Sequence, residues 1–349
     1  MANSLTVSAH TLRAFLNTVL DPHGLLPAVE QAVVEHLVRA NLRGVDSHGL
    51  QQIMGYDRSL RSGRINPRPQ ITIHPRRGAI LEVQADGSPG QYAAQVAMET
   101  AIAQARETGI ALVGITHSNH FGMAGYYVQQ AAAAGMIGFA TSDTNVVDLA
   151  PYGGKSAKLG NNPMAWGLPT GTEIPLVLDM ATGAVSGGKI KHFAYQGISI
   201  PEGWGLTPEG TVTQDGNEVA VNLAASYKGS GLALIADLLC GPLLGTAAAM
   251  FKQKSIPDAA NGTGHLLGVV DISAWTDLDR FTARVQAAIA ELKATPRLEA
   301  NQPLYYPGEL EGLTEQVRSR SGIPVPVKLV ETLADYFGAD RVQEFFDAG

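Results

Sequence analysis

Three short stretches of this chain place polar side chains beside glycines in arrangements that could do chemistry. In the first, Asp46-Ser47-His48-Gly49, the histidine is followed at helical spacing by Gln52 and Tyr56. If a helix begins at Asp46 or Ser47, these side chains form one stripe behind a positively polarised helix start. Such a stripe could bind a carboxylate with an adjacent carbonyl. A simple N-cap on a solvated helix face explains the same pattern.

The second stretch, residues 117–125, contains Asn119-His120-Phe121-Gly122-Met123-Ala124 and lies between a predicted strand and a predicted helix. Glycines in such a turn bring backbone N–H groups close to an anion such as a pyrophosphate. His120 could contact a phosphate or the substrate, or it could be satisfied locally. No cysteine or carboxylate stands at metal-ligand spacing from it, so we expect no metal.

The third stretch, Ser226-Tyr227-Lys228-Gly229, opens an apolar helix and could hold a second phosphate; a surface lysine beside a cap is the alternative. Asp179-Met180-Ala181 ends a buried strand, where the acid could face a ribose hydroxyl or cap the next turn. Neither the Rossmann G-x-G-x-x-G pattern nor a complete P-loop is present. A bound nucleotide would therefore need a different construction.

The elements that must position these residues alternate in the middle of the chain. Ser8 should cap a first helix, a second should end near Gly44, and a third should start at Asp46 or Ser47 and end before Gly63. Helices over 91–107, 124–134 and 228–239 alternate with strands over 111–116, 137–142, 176–179 and 266–272, which predicts an α/β fold. The apolar run at residues 231–251 fits a buried helix pair better than a membrane span.

The composition excludes several classes of protein. The chain has 349 residues, 45% hydrophobic and 16% charged, with a net charge of −7, so nucleic acid is not an expected partner. The single cysteine, Cys240, excludes an internal disulfide and fits a reducing compartment. The N-terminus has no signal-peptide pattern. We therefore expect a cytoplasmic protein that is not bound to a membrane.

Together these stretches resemble the malate/L-lactate dehydrogenase family of the second, non-Rossmann type, over nearly the whole chain. The matching motifs are Arg43-Gly44-Val45-Asp46-Ser47-His48-Gly49, Gly63-Arg64-Ile65-Asn66-Pro67, Asn119-His120-Phe121-Gly122, Pro151-Tyr152-Gly153-Gly154, Leu159-Gly160-Asn161-Asn162-Pro163, Gly188-Lys189-Ile190, Pro201-Glu202-Gly203-Trp204, Lys228-Gly229 and Pro307-Gly308-Glu309.

The resemblance implies an α/β fold with a non-Rossmann, NAD(P)-binding mixed sheet flanked by helices, in a homodimer. The proline-rich linker at residues 65–69 and the helical spacing of the C-terminal tail further predict a helical dimerisation lobe over residues 1–75 with 280–349, and an NAD(P)-binding lobe over 76–279. His48 would be the proton donor and acceptor with Ser47 as its partner, although the match to His120 has this role in some members. Gln52 and Tyr56 would contact the substrate, a small 2-oxo or 2-hydroxy acid. The implied NAD or NADP contacts are His120, Phe121, Gly122, Met123, Ala124, Thr144, Asp179, Met180, Ala181, Lys228, Gly229, Pro307, Gly308 and Glu309.

Three positions depart from the family pattern. Gln52 stands where members usually have an arginine that binds the substrate carboxylate. An amide has neither the charge of a guanidinium nor its bidentate hydrogen-bond geometry. Lys189 stands where the cyclic-imino-acid reductases have an acid, which favours a hydroxy acid over an imine. Tyr227 replaces a common histidine. A reductase of cyclic imines and a non-catalytic nucleotide-binding homologue remain the alternatives.

Overall fold

The computed structural model describes residues 4–144, 146–252, 262–299 and 301–346. The helices of these residues are α1 (Ala9–Leu20), α2 (Pro27–Leu42), α3 (Ile53–Arg61), α4 (Gly90–Thr108), α5 (Gly125–Ala133), α6 (Gly187–Gln196), α7 (Ser226–Cys240), α8 (Leu278–Ala294), α9 (Glu309–Ser321), α10 (Val327–Phe337) and α11 (Ala339–Phe346). The strands are β1 (Ser4–Val7), β2 (Thr72–Pro75), β3 (Ile80–Gln84), β4 (Ile110–Ser118), β5 (Met136–Ser142), β6 (Leu149–Ala150), β7 (Met164–Leu168), β8 (Leu176–Met180), β9 (Gly205–Leu206), β10 (Val212–Thr213), β11 (Val221–Leu223), β12 (Thr263–Asp271) and β13 (Ile323–Pro326).

A seven-stranded mixed sheet forms the centre, in the order β2-β3-β4-β12-β5-β7-β8. β3 and β4 are parallel, and every other neighbouring pair is antiparallel. α4 and α5 cover one face, where Val113, Ile115, Tyr127 and Leu267 belong to one buried core. Many alanines in both helices allow this close packing. The α/β fold predicted from the sequence is confirmed.

A second core joins the two ends of the chain. Ser8 caps α1 as predicted, accepting a hydrogen bond from the Thr11 backbone N–H at 2.9 Å. β1 pairs with β13, and α10 and α11 pack against α1 through Phe15, Phe337 and Phe346. Long-range burial of apolar side chains thus ties residues 7–65 to residues 323–346. The boundary of the two lobes near residue 75 stays a prediction.

The prediction that the third helix starts at Asp46 or Ser47 is wrong. Asp46–His48 and Leu50–Gln52 form two 3₁₀ turns, and α3 begins only at Ile53. The side chain of Asn41 accepts a hydrogen bond from the Leu50 backbone N–H at 2.7 Å, which the predicted helix would have used internally. His48, Gln52 and Tyr56 therefore do not follow one face of a single helix.

The prediction of a buried helix pair over residues 231–251 is also wrong. α7 ends at Cys240, where Gly241 and Pro242 break the chain into two 3₁₀ turns. Ala233, Ala236 and Cys240 are buried, whereas Ile235 and Leu243 are exposed. Within the part of the chain that is described, no helix is long and apolar enough to cross a membrane.

Candidate active site

A cleft of about 1190 Å³ opens at one edge of the central sheet. β4, β5 and β8 end at this edge, while β7 and β12 begin there, as their registers show. Loops outside the carboxyl ends of strands are the usual place for ligands in α/β proteins. Residues 119–125, 142–144 and 177–181 form one wall, and residues 43–48, 183–189 and 305–308 complete the enclosure.

The Ser47-His48 turn is fixed by groups from two distant helices. From α9, Arg318 donates to both carboxylate oxygens of Asp46, at 2.7 and 3.1 Å. From α2, the Asn41 amide donates to the same carboxylate at 2.7 Å. A Cβ at Gly49 would lie 2.1 Å from Asn41 Oδ1, so only glycine fits at that position. The backbone that presents His48 is therefore held by polar contacts that a solvated N-cap would not have.

Two histidine rings stack in this cleft. His48 and His120 lie 5.8 Å apart between ring centroids, with planes inclined by 25°. Ser47 Oγ lies 2.9 Å from His48 Nδ1, which leaves Nε2 for a ligand. Burial lowers the pKa of His48 to about 4, so the ring is neutral at pH 7. A neutral imidazole in a cleft is able to accept a proton.

His120 is held from behind by a chain of hydrogen bonds. The Tyr56 hydroxyl lies 2.8 Å from His120 Nδ1, and the Gln91 amide donates to that hydroxyl at 2.6 Å. Burial and then the nearby His48 lower the pKa of His120 to about 3. The side chain of His120 is exposed towards the cleft, so a ligand there can reach its ring. Burial raises the pKa of Tyr56 well above its usual value, so the phenol keeps its proton.

Gln52 reaches the same cleft but binds the protein itself. Its amide donates to the Ser47 carbonyl at 2.7 Å. Positive charge comes from other residues of the lining: Lys189 and Arg64 are exposed, and Lys189 Nζ lies 5.9 Å from the Trp204 ring centroid. The lining of the cleft therefore includes positively charged side chains even though residue 52 is neutral.

The backbone of the loop after β4 packs closely against buried side chains. The Met123 backbone N–H donates to His36 Nε2 at 2.7 Å, and a Cβ at Gly122 would lie 2.1 Å from that nitrogen. Gly122 has a φ of +78°, which also favours glycine. Phe121 stacks on His265 at 4.5 Å between centroids. The sequence does not predict a role for His36 or His265, because buried histidines in apolar stretches carry no distinguishing pattern.

The remaining predicted contacts divide into two groups. Thr144, Asp179, Met180, Ala181, Pro307 and Gly308 line the cleft. Asp179 accepts a hydrogen bond at 2.7 Å from the backbone N–H of Gly125, and burial raises its pKa to about 6. It therefore caps α5, although by long-range contact rather than at the next turn.

Lys228, Gly229 and Glu309 do not belong to the lining of the cleft. Lys228 is exposed, and Gly229 packs so closely on Thr182 that an added Cβ would lie 2.2 Å from its carbonyl oxygen. Glu309 is buried and pairs with Lys293. The structure thus places Gly229 behind the strand end that carries Ala181, and Glu309 behind the loop that carries Gly308.

A family profile described as malate/L-lactate dehydrogenase matches residues 7–334. The chain belongs to this family. Malate dehydrogenase of Pyrococcus horikoshii is 33% identical over 95% of this chain and 94% of its own. Its solved structure superimposes with a TM-score of 0.86 at 31% identity, covering 97% of this chain and 96% of that one.

Two further proteins that this chain resembles differ in their named activity. The NAD⁺-dependent ureidoglycolate dehydrogenase of Escherichia coli K12 is 31% identical, over 97% of this chain and 96% of its own. The structure of the Δ1-piperideine-2-carboxylate reductase of Pseudomonas syringae matches with a TM-score of 0.82 at 26% identity, covering 95% of this chain and 99% of that one. These names include both a hydroxy-acid dehydrogenase and an imine reductase, so both reactions are candidates for this chain.

Proposed function

We propose that this chain is an NAD(P)-dependent dehydrogenase that transfers a hydride between its cofactor and C2 of a small 2-oxo or 2-hydroxy acid. The main support for this proposal is the pair of neutral histidines, His48 and His120, which stack in a cleft at the carboxyl ends of the strands. Malate and ureidoglycolate, named for two relatives, are both 2-hydroxy acids. The choice between NAD and NADP stays open.

The walls of the cleft fit a dinucleotide. At Gly122 and Gly308 a Cβ would collide with His36 and Val177, so the backbone itself forms the surface there. We propose that residues 119–124, 144, 179–181 and 307–308 contact the cofactor, and that Lys228, Gly229 and Glu309 support these loops from behind the lining. When bound, NAD(P) supplies the hydride acceptor or donor at its nicotinamide ring.

We propose that His48 exchanges the proton of the C2 oxygen. In oxidation the hydroxyl proton passes to His48 Nε2 while Ser47 holds Nδ1, and in reduction it returns. The alternative assigns this step to His120, held by Tyr56. Replacing His48 by alanine should lower turnover by about 100-fold or more if it is the acid and base. Unchanged turnover in that variant, together with an inactive His120→Ala, would move the role to His120.

The substrate's carboxylate needs a cation that Gln52 does not provide. We propose that Lys189 and Arg64 share this role, since both line the cleft and are exposed. Lys189→Gln and Arg64→Gln should each raise KM for the oxo acid more than they lower kcat, because a group that binds ground state and transition state equally changes KM. Lys158→Gln, an exposed lysine outside the lining, provides the control.

The deciding assay follows oxidation of NADH and NADPH with a panel of 2-oxo acids. Turnover of an oxo acid supports the dehydrogenase and identifies its substrate class and cofactor. Turnover of Δ1-piperideine-2-carboxylate alone would support the second candidate, an imine reductase, which the structural likeness to the Pseudomonas syringae enzyme favours. Tight cofactor binding with no turnover on either panel would indicate a non-catalytic homologue.

We also propose a cytoplasmic homodimer that covers the exposed part of the second face of the sheet. Opposite α4 and α5, an apolar row crosses the strands through directly paired residues, namely Ile80, Leu112, Gly268, Phe139, Trp166 and Leu178. Trp166 is 44% exposed and Leu112 38% exposed. An outward sheet face is normally polar, so an apolar one favours a partner. The buried Cys240 fits a reducing compartment.

Light scattering coupled to size exclusion tests the dimer. Trp166→Glu places a charge in the middle of the row and should shift the mass from two chains towards one. Leu298→Glu is the matched control, because Leu298 is 98% exposed and belongs to none of the strands of the sheet. A wild-type protein that elutes as a monomer would refute the proposal.

A further inference from the structure

Behind His120 lies a buried chain of three hydrogen-bonding side chains. Gln91, on α4, is 1% exposed and donates from Nε2 to the Tyr56 hydroxyl at 2.6 Å. That hydroxyl lies 2.8 Å from His120 Nδ1. The chain therefore runs from a core helix through α3 to a ring that opens into the cleft, and each member is held at a single atom.

The hydrogens available to Gln91, Tyr56 and His120 indicate which group donates in each of the two hydrogen bonds. A phenol has one hydrogen, and burial, which raises the pKa of Tyr56, keeps that hydrogen on the oxygen. Because Gln91 donates to the oxygen, the hydroxyl hydrogen is available for His120 Nδ1, the other hydrogen-bond partner of Tyr56 among the described residues. Nδ1 is then an acceptor, and in a neutral imidazole the proton sits on the other nitrogen, Nε2.

We propose that Gln91 is a positioning residue that, through Tyr56, holds His120 as the neutral Nε2–H tautomer, a hydrogen-bond donor to the C2 oxygen of the substrate. This role rests on the proposed function and divides the labour between the two stacked rings. His48 carries the proton that enters or leaves the oxygen, and His120 polarises that oxygen without titrating. No proton leaves His120 during the reaction, so its balance is that of the dehydrogenase step above.

The surroundings of His120 favour a neutral ring. The titratable groups that face it are His48 from the 3₁₀ turn, His36 from α2, Tyr56 from α3 and His265 from β12. Burial lowers the pKa values of the three histidines and raises that of the phenol, so all four are uncharged near pH 7. Nothing among these groups compensates a positive charge on His120, which is the condition for a neutral donor.

One polar atom of the chain has no partner in the described residues. Gln91 Oε1 is buried and accepts no hydrogen bond. A rotated amide would present this oxygen to Tyr56, reverse both bonds and move the His120 proton to Nδ1. The two orientations therefore make opposite predictions for the tautomer, and a measurement of the ring nitrogens separates them.

Nitrogen-15 NMR of histidine-labelled protein reads the tautomer without any turnover. His120→Asn identifies the signals of this ring by their loss. We expect a protonated Nε2 and an unprotonated Nδ1; the reverse pattern would overturn the proposal. If no oxo acid is turned over by the wild-type enzyme, the proposed function fails while this result still stands, so the two failures are distinguishable.

Gln91→Glu and Gln91→Met test the consequence for catalysis. A buried carboxyl donates to Tyr56 while protonated and only accepts once ionised, which reverses the chain. Gln91→Glu should therefore lose roughly 10- to 100-fold in kcat as the pH rises, through a limb that the wild type lacks. Gln91→Met can neither donate nor accept, so it should show no new limb and a loss of only a few-fold. Identical pH profiles for the two variants would overturn the proposal, and a change confined to stability would do the same.

Discussion

His265 gives the clearest test of how this site is held together. Its ring lies between β4 and β5, with Nδ1 2.8 Å from Ser142 Oγ and Nε2 3.0 Å from Ser118 Oγ. Phe121 stacks on the ring, one residue beyond His120. Burial is the largest reason that the pKa of His265 falls to about 3. The loop that carries the candidate donor therefore rests on a histidine that must stay neutral.

This burial links stability to pH with a definite sign. Between its folded pKa of about 3 and its unfolded value of about 6.5, the unfolded chain binds more protons at His265 than the folded one. The free energy of unfolding must therefore fall as the pH drops below about 6.5. At pH 5 the unfolded ring lies about 1.5 units below its pKa, which corresponds to a loss of about 2 kcal/mol relative to pH 8.

His265→Gln should remove this dependence, because an amide still offers a donor and an acceptor to the two serines but does not titrate. Urea unfolding, followed by tryptophan fluorescence at one protein concentration, gives the free energies at pH 8 and pH 5. The drop between them should be about 2 kcal/mol smaller in the variant. His10→Gln, an exposed histidine, should retain the wild-type drop. Equal drops in the wild type and in His265→Gln would refute the reasoning.

Three further predictions concern the cleft. Arg318→Met should lower kcat by about 10-fold or more and leave the cofactor Kd nearly unchanged, because it releases the turn that carries His48. Arg320→Met, on the exposed side of α9, is the control in the same kinetic assay and cofactor titration. Gly122→Ala should weaken cofactor binding in a fluorescence titration, since the added Cβ would lie 2.1 Å from a buried ring. In hydroxy-acid oxidation, kcat/KM should stay level as the pH falls to about 6 and decline only towards the His48 pKa of about 4; a limb near the ordinary histidine value would contradict this.

The sequence predicts this fold well where structure is decided locally. Ser8 and the apolar spacing behind it specify α1, and strands β4, β5 and β12 follow from short apolar runs between turn residues. The helix start at Asp46 fails for a non-local reason, since Asn41 and Arg318 compete for the groups that the helix would need. A side chain 272 residues away along the chain leaves no trace in a local pattern.

The candidate site shows the same division. His48, Tyr56 and His120 were chosen from their local motifs, and the fold brings all three into one cleft. Gln91 and His265 act through bonds to residues 35 and 147 positions away, so neither stands out in the sequence. Sequence motifs thus identify side chains that face a ligand, whereas the groups behind them appear only when strands and helices are assembled.

The two stacked histidines would compete if both titrated. At 5.8 Å between centroids, a proton on one ring raises the cost of a proton on the other, and their pKa values would belong to the pair. Their partners differ: His48 contacts the hydroxyl of the neighbouring Ser47, while His120 is held through Tyr56 by a buried amide. His48, which has the weaker attachment, can change its protonation state. His120, which has the fixed attachment, keeps its protonation state. In the proposed mechanism this asymmetry gives one acid–base group and one hydrogen-bond donor from two residues of the same type.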